Sequence, residues 1–138
     1  MQFNKEIRME KMNVKPATGK LGVLCVGLGA VTSTFMTGVL MARKGLAKPV
    51  GSMTQYDKMR VGRGENKKYL HYGEIVPLAS LNDIVFGAWD VYPANAYESA
   101  VNAEVLQEKD INPVKDELEK IVPCRSPNLF ESREYPPG

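Results

Sequence analysis

The chain has 138 residues, 43% of them hydrophobic and 25% charged, and a formal net charge of +2. That composition excludes a disordered polymer, a collagen-like fibre and a disulfide scaffold, and the length allows one domain but not a cofactor domain beside a separate catalytic one. The small net charge hides an asymmetry, because residues 1–68 carry 13 Lys and Arg against 4 Asp and Glu, whereas residues 69–138 carry 5 against 12.

From Leu21 to Ala42 no residue is charged, and this stretch of 22 residues meets the criterion of about 20 for a bilayer span. Glycines (Gly22, Gly27, Gly29, Gly38) and hydroxyl residues (Thr32, Ser33, Thr34, Thr37) dilute its hydrophobicity. The residues before it are too mixed in charge for a signal peptide. Read in two parts, Leu21–Val26 has the β-branched, apolar pattern of a buried parallel strand. Gly27-Leu28-Gly29 makes a turn, and from Ala30 the residues Val31, Phe35, Val39 and Ala42 share one helical face, the expected buried stripe. Lys44 and Gly45 close the helix as a C-terminal cation and a left-handed cap.

A strand, a glycine turn and a helix together have a chemical use. The first glycine permits a tight turn, the second lets a pyrophosphate approach the backbone, and the helix N-terminus presents free N–H groups to negative charge. The dinucleotide pattern G-x-G-x-x-G would place a third glycine at position 32, where this chain has Thr32. The competing reading is a glycine turn that only packs strand on helix. No acid stands about 20 positions beyond the glycines to hold a ribose, since that neighbourhood reads Leu46-Ala47-Lys48-Pro49-Val50.

Gly51 to Ser80 reads as a long, mostly irregular insertion, whose basic patch (Arg60, Arg63, Lys67, Lys68) is interrupted by Glu65. A solvated loop is favoured there over a nucleic-acid arm. His71 is the only histidine, and Cys25 and Cys124 stand 99 positions apart, which matches no metal or redox spacing and points to a reducing, cytoplasmic setting without a metal. Asp83 to Asp90 is a second strand with an apolar centre, and Asp90 would stand at its carboxyl end, the edge where ligands of open α/β sheets bind. Ala94 to Leu106 is expected to be helical, with Ala96, Tyr97, Ala100, Val101 and Val105 buried. Asn112 then caps a short helix that runs through Lys120 with Pro113 at its first position, Pro123 stops it, and the last residues carry no periodic pattern.

Several of these stretches resemble the inositol-3-phosphate synthases, also called myo-inositol-1-phosphate synthases, of bacterial type. They are Lys15–Val23, Val26–Thr34, Arg43–Pro49, Gly51-Ser52-Met53-Thr54-Gln55 and Ile84–Asp90 with its continuation Asn95-Ala96-Tyr97-Glu98. The resemblance implies the amino-terminal part of such an enzyme, with an α/β fold, an incomplete Rossmann-like NAD-binding domain with a parallel sheet and flanking helices over residues 15–123. Residues 1–14 are expected to be an unstructured extension and 124–138 an irregular, truncated or frame-shifted tail.

The activity implied is conversion of D-glucose 6-phosphate to 1D-myo-inositol 3-phosphate by internal NAD-linked oxidation, aldol cyclisation and reduction. Residue by residue, Gly27, Leu28, Gly29, Ala30, Val31 and Thr32 match the family's pyrophosphate turn, and Asp90 matches the aspartate that holds the adenosine ribose. Ala30-Val31-Thr32 stand where eukaryotic members have a glycine and two asparagines, and Ala88 replaces a glycine. No catalytic residue is expected in this chain, which is expected to be inactive alone. The family also implies a homo-oligomer, a tetramer built through the missing part, with no nucleic-acid or membrane partner. A small regulatory module that binds a dinucleotide without reacting is the alternative, and a membrane-tethered protein is a third reading.

Overall fold

The computed structural model describes residues 18–124. The extension expected at 1–14, and the expected tail beyond Cys124, lie outside the described residues.

The uncharged run divides at its glycines as expected. Strand β1 (Leu21–Val26) leads through Gly27–Gly29 into helix α1 (Ala30–Arg43). Among the described residues no helix is long and apolar enough to cross a membrane. Helix α1 ends in a Schellman arrangement: Gly45 has φ +68°, its N–H donates to the Ala42 carbonyl, and the Leu46 N–H donates to that of Met41.

The buried face of α1 differs from the expected stripe. Val31 and Phe35 are 85% and 44% exposed, and the inward residues are Ser33, Met36, Thr37, Val39 and Leu40. Ser33 and Thr37 tolerate burial because their hydroxyls donate back into the helix, Thr37 to the Ser33 carbonyl at 2.8 Å and Ser33 to that of Ala30 at 3.3 Å. An apolar-only reading of the face misses such positions.

The insertion is also more ordered than expected. It forms one-turn helix α2 (Met53–Tyr56), strand β2 (Lys58–Val61), strand β3 (Lys68–His71) and one-turn helix α3 (Tyr72–Ile75), with β2 and β3 paired antiparallel. Its strands are only four residues each, and the single alternation they hold, Lys58-Met59-Arg60-Val61, is too short to announce a hairpin. Arg60, Arg63, Lys67 and Lys68 are all exposed along this hairpin, where charge keeps unpaired strand edges from recruiting other chains.

Gly62 sets the hairpin turn, with φ +88° and a position at which a Cβ would lie 2.4 Å from the Asn66 carbonyl oxygen. Gly62→Ala is therefore expected to cost at least about 1–2 kcal/mol, the penalty of the left-handed region, before the clash is counted. Amide hydrogen exchange should quicken over 58–71 and stay unchanged in β1. Equal protection of the hairpin in both proteins would contradict this.

Strand β4 (Ile84–Trp89) pairs parallel to β1, with Leu21 opposite Ile84 and Val26 opposite Trp89. Helix α4 (Ala96–Asn102) starts at a capping box, in which Asn95 Oδ1 accepts the Glu98 N–H at 2.9 Å and Glu98 Oε2 accepts the Asn95 N–H at 3.0 Å. It is shorter than expected. Glu104, just past its end, turns into the left-handed region at φ +52°; Val101 and Val105 are exposed, whereas Ala96 and Ala100 are buried. Asn112 does not cap the last helix. It follows α5 (Glu108–Ile111) and opens a 3-10 turn with Pro113 and Val114, from which α6 (Lys115–Glu119) continues.

Helices α1, α4, α5 and α6 pack together on one side of the β1–β4 sheet. Leu28, Met36, Leu40, Ala88, Ala96, Ala100, Ile111, Val114 and Leu118 form the core. On the opposite side Leu24, Val26, Val85 and Trp89 stay exposed. Parallel strands are ordinarily covered on both faces, so this lobe is the half of a layered architecture. Beyond α6 the Cys124 N–H donates to the Ala88 carbonyl at 2.8 Å and forms a parallel bridge beside β4.

Candidate cofactor site

The carboxyl edge of the sheet gathers the residues singled out in the sequence. Gly27 has φ +87°, and its N–H donates to the Trp89 carbonyl at 2.7 Å, so the chain leaves β1 still tied to the end of β4. Leu28 then points inward and is only 3% exposed. Its N–H donates to Asp90 Oδ2 at 2.5 Å, across 62 positions of sequence. Gly29 is exposed and serves as the N-cap of α1 in extended backbone.

The start of α1 carries no side-chain cap and no acid in its first turn. Helix geometry leaves the N–H groups of Ala30, Val31 and Thr32 without intrahelical acceptors, and the dipole adds partial positive charge. Ala30 and Val31 are exposed and Thr32 is half-buried, so these donors open toward solvent. A Cβ built on Gly29 meets nothing within 4 Å. Gly29 is therefore not forced by strand–helix packing; it leaves an open cradle in front of free donors, the shape and polarity that a pyrophosphate needs.

Asp90 completes the edge. Its Oδ1 accepts the Tyr92 N–H at 3.0 Å while its Oδ2 holds Leu28. These backbone donors, Leu28 first and Tyr92 second, pull its carboxyl below the ordinary range, against a smaller opposing effect of burial. Each ionised oxygen keeps acceptor capacity beyond its backbone bond, so a ribose hydroxyl could still be received. The clamp on the glycine turn is a structural task for this residue that the sequence does not announce.

A cleft of about 310 Å³ lies at the opposite, amino end of the strands, lined in part by Lys20, Arg43 and Ile84. Its central cation is committed to structure: the Arg43 guanidinium lies over the Phe86 ring and donates to the carbonyls of Leu81 and Ile84. The carboxyl edge, with its uncommitted donors, is the better candidate.

Comparison with known proteins decides the family. The NAD-binding family model of myo-inositol-1-phosphate synthase matches residues 21–132. The chain belongs to this family. It is 59% identical over 114 residues to an inositol-3-phosphate synthase of Bacteroides thetaiotaomicron, covering 82% of this chain and 26% of that one. It is 34% identical over 116 residues to a synthase of Oryza sativa subsp. japonica, covering 75% and 23%. The crystal structure of a Caenorhabditis elegans inositol-3-phosphate synthase superposes with a TM-score of 0.65 at 29% identity, covering 79% of this chain and 24% of that one. The chain thus spans about a quarter of the length of these synthases and corresponds to their amino-terminal NAD-binding portion. The sheet with one bare face is the partial Rossmann-like lobe of a synthase, and Ala88 sits with its methyl in the core at 1% exposure.

Proposed function

We propose that this chain holds the dinucleotide of an inositol-3-phosphate synthase: Gly27, Leu28, Gly29, Ala30, Val31 and Thr32 receive the pyrophosphate, and Asp90 receives the adenosine ribose. The observation that carries this reading is the uncapped start of α1 opening behind Gly29 while Asp90 Oδ2 ties the same turn to β4. In the complete enzyme the substrate is glucose 6-phosphate, isomerised to inositol phosphate within a cytoplasmic homo-oligomer without nucleic acid or membrane. The cofactor supplies, when bound, a reversible hydride acceptor for the sugar. The residues of this chain bind it, fix its phosphates and orient its adenosine half.

Titration of the 138-residue chain with NAD, followed through the fluorescence of its single tryptophan, Trp89, tests the binding claim. Saturable quenching is expected, and its absence at millimolar NAD would end the reading. Turnover is another matter. Aldol and hydride chemistry both require charged groups preorganised in a water-poor site, whereas Arg60, Arg63, Lys67 and Lys68 stand exposed on a hairpin. With glucose 6-phosphate and NAD the chain alone is expected to form no inositol phosphate. Its bare apolar sheet face should drive concentration-dependent self-association in sedimentation velocity. A monodisperse, active chain would contradict both statements.

A further inference from the structure

The pyrophosphate and the ribose have named partners above, but the adenine base has none. We infer that Tyr92 is the platform on which that base stacks, an inference that rests on the NAD reading. Tyr92 is 72% exposed, the neighbouring Val91 62% and Val31 of the first turn of α1 85%, so apolar side chains lie open both at the start of α1 and directly after Asp90. Among the described residues the Tyr92 ring stacks on no other ring and carries no cation.

Its backbone is nevertheless fixed. The Tyr92 N–H donates to Asp90 Oδ1 at 3.0 Å, and the other oxygen of the same carboxylate holds Leu28 in the glycine turn. Pro93 disfavours the helical region of backbone space for Tyr92. One carboxylate therefore sets the spacing between an exposed aromatic residue and the phosphate donors. A base joined to a ribose seated on Asp90 must lie beside the residues that follow Asp90. A flat, weakly hydrated ring there offers stacking area with little side-chain entropy to lose. Trp89, the other exposed aromatic nearby, lies in β4 on the bare sheet face with Val26 as its cross-strand partner, and directly precedes Asp90, where its fluorescence can report on the site.

The test uses the full 138-residue chain at submicromolar concentration, Trp89 fluorescence as the readout, and two probes, ADP-ribose and inorganic pyrophosphate. Tyr92→Ala should weaken ADP-ribose about tenfold, the scale of one lost base–aromatic stack, and leave pyrophosphate unchanged. Tyr92→Phe should bind both as the parent does, and both variants should keep the parent's melting temperature because the ring is exposed. Equal ADP-ribose affinity for parent and Tyr92→Ala would overturn the inference while leaving the dinucleotide site intact. Loss of pyrophosphate as well would assign Tyr92 to the shape of the turn and overturn stacking. A parent that binds neither probe would remove the NAD reading itself.

Discussion

Gly29→Val is expected to abolish NAD binding in a chain that still folds. Gly29 is exposed, its backbone at φ −89° and ψ −161° suits any residue, and a Cβ there meets no neighbour within 4 Å. The fold should lose no more than about 1 kcal/mol, the scale of a poorer helix N-cap. Binding is different, because a branched side chain fills the space in front of the N–H groups of Ala30, Val31 and Thr32. Losing two hydrogen bonds to a charged phosphate, each worth about 1.5–3 kcal/mol, corresponds to a hundredfold or greater fall in affinity. Calorimetry with NAD and a melting curve separate the outcomes. Unchanged affinity would end the assignment of the turn, and an unfolded variant would return Gly29 to a packing role.

Asp90→Ala should damage both the cofactor site and the lobe. The buried Leu28 would be left with an unpaired N–H, which costs about 1–3 kcal/mol in stability, and a ribose hydroxyl would lose a charged acceptor, which weakens NAD about tenfold to a hundredfold. Asp90→Asn keeps one acceptor oxygen and should recover part of the stability. The pH dependence has a definite sign. The Leu28 and Tyr92 N–H groups lower the folded-state pKa of Asp90 below the ordinary aspartate value of 3.8, so its stabilising contribution is full above that value. It is lost as the pH falls through the folded pKa. Urea titrations of parent and Asp90→Ala should therefore differ by a constant amount near neutrality and converge in strong acid. A difference that persists unchanged into strong acid would show that the carboxylate charge has no part in the clamp.

The local features of this chain were readable because each depends on neighbours in sequence. The β1 run, the turn Gly27–Gly29, the helix from Ala30 and its stop at Lys44-Gly45 all follow from β-branched content, backbone freedom and end charge within about 25 residues. Asp90 could be placed at a strand end by the apolar block before it. The errors arose where local pattern and packing part company. Val31 and Phe35 looked like a core stripe, but the helices on the covered side meet Ser33, Met36, Thr37 and Leu40. Hydroxyls satisfied by their own helix count as apolar in packing, although not in a hydropathy pattern. The hairpin of β2 and β3 is not legible locally, because two four-residue strands exposed along most of their length carry too little pattern to distinguish them from a loop.

Sequence chemistry alone determines that a flexible, uncharged turn precedes a helix with free N-terminal donors, since glycine at position 27 and the absence of any acid or cap in the first turn of α1 are local facts. The tertiary fold decides what faces that turn. Parallel pairing of β1 with β4 brings Asp90 across 62 positions to the Leu28 N–H, which is the first cause of its lowered carboxyl pKa, whereas the Tyr92 N–H reaches the same carboxylate from two residues away. No residue near Leu28 or Asp90 encodes their meeting. It follows from strand register, because a shift of one position would turn alternate side chains to the other face and take the carboxylate away from the turn.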